Sequence, residues 1–134
     1  MTGENADIYN GTDRQTGLHD SYIFSTELDH RKGELRHSGE TNALVMVRLP
    51  EDAQPESIKE VAEQLSNAFI RLCRYEKMGN TFIGMYEETS DVDEFKQKLQ
   101  TDLGPKHSGV RITSTVFGGN SPSLEVLAEQ LARD

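Results

Sequence analysis

The sequence predicts an α+β fold: a ferredoxin-like βαββαβ sheet core with one helix ahead of it and helices packed on the sheet. Three observations predict it. Thr41 to Leu49 is a dense run of apolar and branched residues of strand length, stopped by Pro50. Such a run implies a strand buried on both faces, as in a sheet covered by helices. Ile58, Val61, Ala62, Leu65, Ala68, Phe69 and Leu72 recur at helical spacing, the clearest amphipathic stripe in the chain. Between that stripe and the next lies Arg74 to Glu88, two short apolar strands around Gly79-Asn80, residue types that tolerate the positive φ of a hairpin turn. The order is α-β-α-β-β-α-β-α, and its centre is the split βαβ arrangement.

Each element has a local reason. Residues 1–12 are polar and without periodicity, and read as a flexible lead-in to one domain over 13–134. Asp20 or Ser21 caps a first helix whose broken stripe is Tyr22, Ile23, Phe24, Leu28 and Leu35, ending at Ser38-Gly39. Pro55 suits the first turn of the second helix, which is expected to run to Leu72 or Cys73. Thr89-Ser90-Asp91 caps a third helix (Val92, Phe95, Leu99, Leu103) that Gly104-Pro105 ends. Val110 to Phe117 alternates apolar and polar residues, the period of a half-exposed strand. Ser121 or Ser123 caps a last helix with Leu124, Val126, Leu127 and Leu131 inward.

The chain has 134 residues and a formal net charge of −9, with a pI near 4.9. One domain of that size builds a core without staples. The acidity argues against nucleic acid, whose phosphates need a basic face, and against an anionic membrane surface. A single cysteine, Cys73, permits no internal disulfide and fits a reducing, cytoplasmic setting. The absence of a long apolar run or signal-peptide pattern agrees with that expectation. The four histidines and Cys73 lack metal-ligand spacing, and His30 and His37 read as a solvated helix face.

The segment Asp13-Arg-Gln-Thr-Gly-Leu-His-Asp-Ser-Tyr-Ile-Phe resembles the opening signature of GGDEF (diguanylate cyclase) domains, with Asp13, Thr16, Gly17, Leu18 and Phe24 in place. Gln15 replaces the usual apolar residue and His19-Asp20 the usual Asn-Arg pair. Val61-Ala62 with Leu65 resembles the family's second helix. Met78-Gly79-Asn80-Thr81-Phe82 stands at its signature hairpin, and Val110 to Gly118 resembles its late strand. The resemblance spans 13–134 and implies a nucleotidyl-cyclase-like fold.

The departures carry the functional expectation. The family's tip is Gly-Gly-(Asp/Glu)-Glu-Phe, its acids serving metal and catalysis. Here both acids and one glycine are gone. The family's first strand ends near a metal-binding Asp, whereas this one ends Val47-Arg48-Leu49-Pro50, with a positive charge where a cation would sit. The family's short guanine-reading helix after that strand is missing. Its product-inhibition motif, Arg-x-x-Asp, falls near Phe69 and Leu72. Arg71 and Arg74 are spaced like that motif's pair but lack the Asp, and read as a solvated helix end favoured by the C-terminal dipole.

The resemblance therefore implies a degenerate, catalytically inactive GGDEF-like domain, regulatory or protein-interacting, in cyclic-dinucleotide signalling. The alternative is a small-ligand module that retains GTP or cyclic di-GMP affinity, and a third reading is a residual nucleotide hydrolase. No cofactor or metal is expected. Partners would be proteins or other domains of a signalling protein, with a homodimer left open. Arg48, Lys77 and Asn80 are the candidate ligand or partner surface, and Leu49 and Met78 the side chains that would fill the cleft beside it.

Four other constellations read as ordinary structure. Glu87 to Glu94 lacks the ligand alternation of a calcium loop. Gly118 to Ser123 lacks the Gly-Lys-Ser/Thr of a P-loop and reads as a turn. Ser114 and the histidines offer no readable triad. Cys73, at the end of an apolar stripe, reads as core.

Overall fold

The computed structural model describes residues 11–134; the flexible lead-in expected for 1–10 lies outside them. Helix α1 spans Ser21–Ser38, strand β1 Asn42–Arg48, helix α2 Pro55–Ser66, strand β2 Arg71–Arg74, strand β3 Thr81–Tyr86, helix α3 Val92–Leu103, strand β4 Arg111–Phe117 and helix α4 Leu124–Arg133. Short 3-10 turns at Glu76–Met78 and Thr89–Asp91 complete the order. The four strands form one antiparallel sheet in the order β2-β3-β1-β4. This is the ferredoxin-like arrangement that the sequence predicts.

The sheet is covered on both faces, and the parity of β1 sets this up. Leu44 and Met46 join Phe24, Leu28 and Leu35 of α1 and Leu124, Leu127 and Leu131 of α4. Val45 and Val47 join Ile58, Val61 and Leu65 of α2 and Leu99 and Leu103 of α3. Every residue from Asn42 to Val47 is buried, as an apolar strand without alternation requires. Each large apolar side chain so buried contributes about 1.5–3 kcal/mol.

The helix ends follow local chemistry. The Asp20 carboxylate accepts the N–H of Ile23 at the start of α1, and Gly39 closes it with φ 76° while donating to the Leu35 carbonyl. Pro55 occupies the first turn of α2. At α3 and α4 the expected caps at Asp91 and Ser123 take the N-cap position without a side-chain hydrogen bond. Asp91 instead accepts the Tyr86 hydroxyl at 3.0 Å.

Several expectations need correction. Helix α2 stops at Ser66, not Leu72. Phe69 and Leu72 continued the helical spacing, but they face the α2–α3 side of the sheet from the turn and from β2. The hairpin strand therefore begins at Arg71 rather than Arg74. Tyr22 of α1 is 67% exposed and Val126 of α4 42% exposed, so neither is inward. Thr12, assigned to the lead-in, bridges His19.

Two glycines separate packing from propensity. A Cβ on Gly84 of β3 would sit 2.5 Å from the Phe69 ring, which also packs edge-on to Phe95 at 5.2 Å. Gly33, inside α1, has nothing within 4 Å of its would-be Cβ. In urea unfolding, Gly84→Ala is expected to lose about 1–3 kcal/mol through overpacking. Gly33→Ala is expected to gain about 0.5–1 kcal/mol through helix propensity. Equal shifts for the two would contradict the packing at Gly84.

Candidate functional site: the hairpin tip and the end of β1

The tip is a built turn rather than a two-residue hairpin. After Tyr75 the chain makes a 3-10 turn over Glu76–Met78, and Gly79 takes φ 70° and ψ −121°. That left-handed region favours glycine. Asn80 has no positive φ, so its role lies in its side chain rather than its backbone. The turn is closed by Tyr75 N–H to the Thr81 carbonyl at 2.8 Å and by the Thr81 hydroxyl donating to the Met78 carbonyl at 2.7 Å.

Arg74 organises what surrounds the tip. It is buried, on β2, and not at a solvated helix end. Its Nε donates to the Gly79 carbonyl at 3.1 Å and its Nη2 to Asn80 Oδ1 at 3.0 Å. Its Nη1 donates to Gln15 Oε1 at 2.8 Å and lies 3.4 Å from Asp13 Oδ2. The guanidinium carbon stands 5.9 Å from the centre of the Phe82 ring. Asp13 also accepts the Thr16 N–H and hydroxyl at 3.0 and 2.7 Å, so the Asp13–Thr16 turn and the tip share one charged hub. Arg71 is exposed and pairs with Glu27 at 3.0 Å.

Asn80 links the tip to β1. Its Nδ2 donates to the Pro50 carbonyl at 3.0 Å and to that of Glu51 at 3.3 Å, while its own carbonyl accepts the Leu49 N–H at 2.9 Å. The crevice between β1's end and the tip is thus spanned by Asn80. Leu49 and Met78, the side chains that would fill it, belong to the cores on opposite faces of the sheet. Of the expected surface residues, Lys77 is exposed, Arg48 half-buried, and Asn80 half-buried with its amide engaged. Phe82 is fully buried.

Behind the tip, Glu76 accepts the N–H of Ser21 at 3.1 Å and also its hydroxyl, fastening the 3-10 turn to the start of α1. Burial and the nearby Glu125 carboxylate push the Tyr75 hydroxyl up to about 12. Burial likewise raises the Cys73 thiol, and Cys73 is fully buried, as its apolar stripe implied.

His30 and His37 are exposed on α1, as expected of a solvated face. His107 is the exception that spacing did not reveal. It is buried, neither ring nitrogen is hydrogen-bonded, and Nε2 lies 3.6 Å from Glu60 Oε1. Among the described residues no group of three or more His, Cys, Asp or Glu is arranged to hold a metal ion. None of the described helices is long and apolar enough to cross a membrane.

No family model and no curated protein matches the sequence. Solved structures do. The GGDEF domain of DgcB from Caulobacter crescentus, in complex with c-di-GMP, superposes with a TM-score of 0.74 at 18% identity, covering 94% of this chain and 86% of that one. A sensory box/GGDEF family protein from Caulobacter crescentus CB15 gives 0.75 at 17% identity, covering 92% and 94%. The fold is that of a GGDEF domain. The diguanylate cyclase SiaD from Pseudomonas aeruginosa, solved with its activator SiaC, matches with a TM-score of 0.75 at 12% identity over 98% of this chain and 58% of that one. In this chain β1's end lies beside the hairpin, where Asn80 and Arg74 meet.

Replacing Arg74 by Ala is expected to lower stability by about 2–3 kcal/mol, because partners of a charged, buried donor are left unpaired. Arg74→Lys should recover little, since one ammonium cannot reach carbonyl, amide and carboxylate together. Chemical denaturation of both variants checks this. A Lys variant as stable as wild type would refute the forked arrangement.

Proposed function

We propose that this chain is a GGDEF-fold module that makes no cyclic di-GMP and acts as a regulatory or protein-interaction domain in cyclic-dinucleotide signalling. The observation that carries this reading is the use made of Asn80 and Thr81. They stand where the family's signature has carboxylates, and their side chains are committed to carbonyls of Pro50, Glu51 and Met78. Phosphoryl transfer depends on metal ions and positioned charges that neutralise the transferring group. Arg48 at the end of β1 adds a cation where a metal would need an anion. SiaD, which shares the fold, was solved with an activator protein, which supports protein or domain partners for this chain. A cytoplasmic setting belongs to the same reading.

Incubation with GTP and Mg²⁺ or Mn²⁺ is expected to yield no cyclic di-GMP above a protein-free blank by mass spectrometry. Product formation would overturn the proposal.

A second reading is a small-ligand module that keeps nucleotide affinity without cyclase activity. The DgcB domain, solved with c-di-GMP, favours it. Calorimetric titration with GTP, GDP and cyclic di-GMP separates the two. Our first reading expects no binding tighter than about 10 μM, which corresponds to roughly 7 kcal/mol.

A further inference from the structure

Strand register brings together two residues far apart in sequence. β1 and β4 run antiparallel, and Arg48 stands directly opposite Arg111. Both side chains project to the face that carries Leu44 and Met46, because cross-strand partners share a face and residues two apart on a strand do too. Their Cβ atoms are therefore about 4.5–5.5 Å apart, where like charges oppose each other.

Their neighbourhood is fixed on both sides. Arg48 is flanked on β3 by Thr81. Asn80 ties the tip to Pro50, and Gly109, at φ 84°, lies so close to the Pro50 ring that a Cβ would sit 2.8 Å from it. The tip, the end of β1 and the start of β4 are thus held at one end of the sheet.

What sets the pair apart is that two like charges face each other directly across paired strands, with no counter-charge among the described residues to offset them. Arg31, Arg71 and Arg74 pair with Glu34, Glu27 and Asp13. Neither Arg48 nor Arg111 has a carboxylate within ion-pair distance among the described residues. Arg48 is half-buried and Arg111 exposed, so the pair is rooted in the sheet and open to solvent.

We infer that Arg48 and Arg111 form a metal-independent anion site for the phosphate group of a small molecule. Two guanidinium forks carry two positive charges and more donors than a carboxylate can accept. A phosphate monoester, with three acceptor oxygens and about −1.5 to −2 charges at neutral pH, matches both counts. The site goes beyond the regulatory role proposed above, and its test does not depend on cyclase activity.

The test is a titration of the full chain with inorganic phosphate and pyrophosphate at low ionic strength. It is followed by NMR at the Arg48 and Arg111 Nε–H resonances, with and without EDTA. Saturable shifts unchanged by EDTA are expected, with pyrophosphate binding tighter and acetate at least roughly tenfold weaker than phosphate. Arg48→Gln and Arg111→Gln should each weaken phosphate binding by about tenfold, and exposed Lys59→Gln should leave it unchanged. Because each Gln variant removes a repulsion, its melting temperature without phosphate should equal or exceed the wild-type value. No saturable response, acetate binding as tight as phosphate, binding lost with EDTA, or destabilised Gln variants would each overturn the assignment.

Discussion

Burying one guanidinium is the constraint around which this end of the molecule is built. Arg74 sits on an edge strand, packed beside Phe82, with almost no access to water. A buried charge persists only when paired and hydrogen-bonded. Its partners come from three separate places: Asp13 and Gln15 before α1, Gly79 in the turn, and Asn80 at the tip. Satisfying Arg74 therefore fixes where each of those segments lies. Asn80, held by its Oδ1, is then oriented to donate its Nδ2 to Pro50 and Glu51. One charge thus sets the position of the tip against β1.

The rest of the fold supplies a rigid frame for that end. β1 is the spine, paired on one side with β3 and on the other with β4, and covered on both faces. Its last residue, Arg48, is where the apolar strand gives way to the polar rim. Gly84 admits the Phe69 ring against β3, which lets the chain leave α2 and enter β2 over a short turn. The aromatic group continues through Phe95, which stacks on Tyr86 at 4.0 Å and meets Phe69 edge to face. Such pairs add about 0.5–1.5 kcal/mol each beyond burial.

The element order was legible because apolar patterning is local. The run from Thr41 to Leu49 announced a two-faced strand, and Asp20 and Gly39 marked the ends of α1. Patterning failed where two periods coincided. Phe69 and Leu72 fit the helical stripe of α2, so the pattern extends the helix over the start of β2 and leaves Arg74 at a solvated end. Val126, an apolar residue within the stripe of α4, faces water, because Leu124, Leu127 and Leu131 define the buried face. That Asn80 and Thr81 carry no carboxylate could be read directly from the sequence, but not what those side chains do. Their partners, Pro50, Glu51 and Arg74, are set by tertiary contacts. Arg111 was invisible as a neighbour of Arg48, because only register places them opposite each other.

The segment before α1 pairs with β2, His19 forming a parallel bridge with Cys73. β2 is an outer strand, and outer strands offer unpaired N–H and C=O groups to other chains. Here the Arg74 N–H donates to the His19 carbonyl at 2.9 Å, so the segment before α1 covers part of that border. β4, the other border, meets water with Arg111 and a run of Thr and Ser, and a charge there discourages adhesion. A version of the protein trimmed to begin at Ser21 would uncover β2 and also take Asp13 and Gln15 away from Arg74. It should then stick to itself through strand-to-strand pairing, so the stretch that pairs the buried charge also governs the molecule's colloidal behaviour.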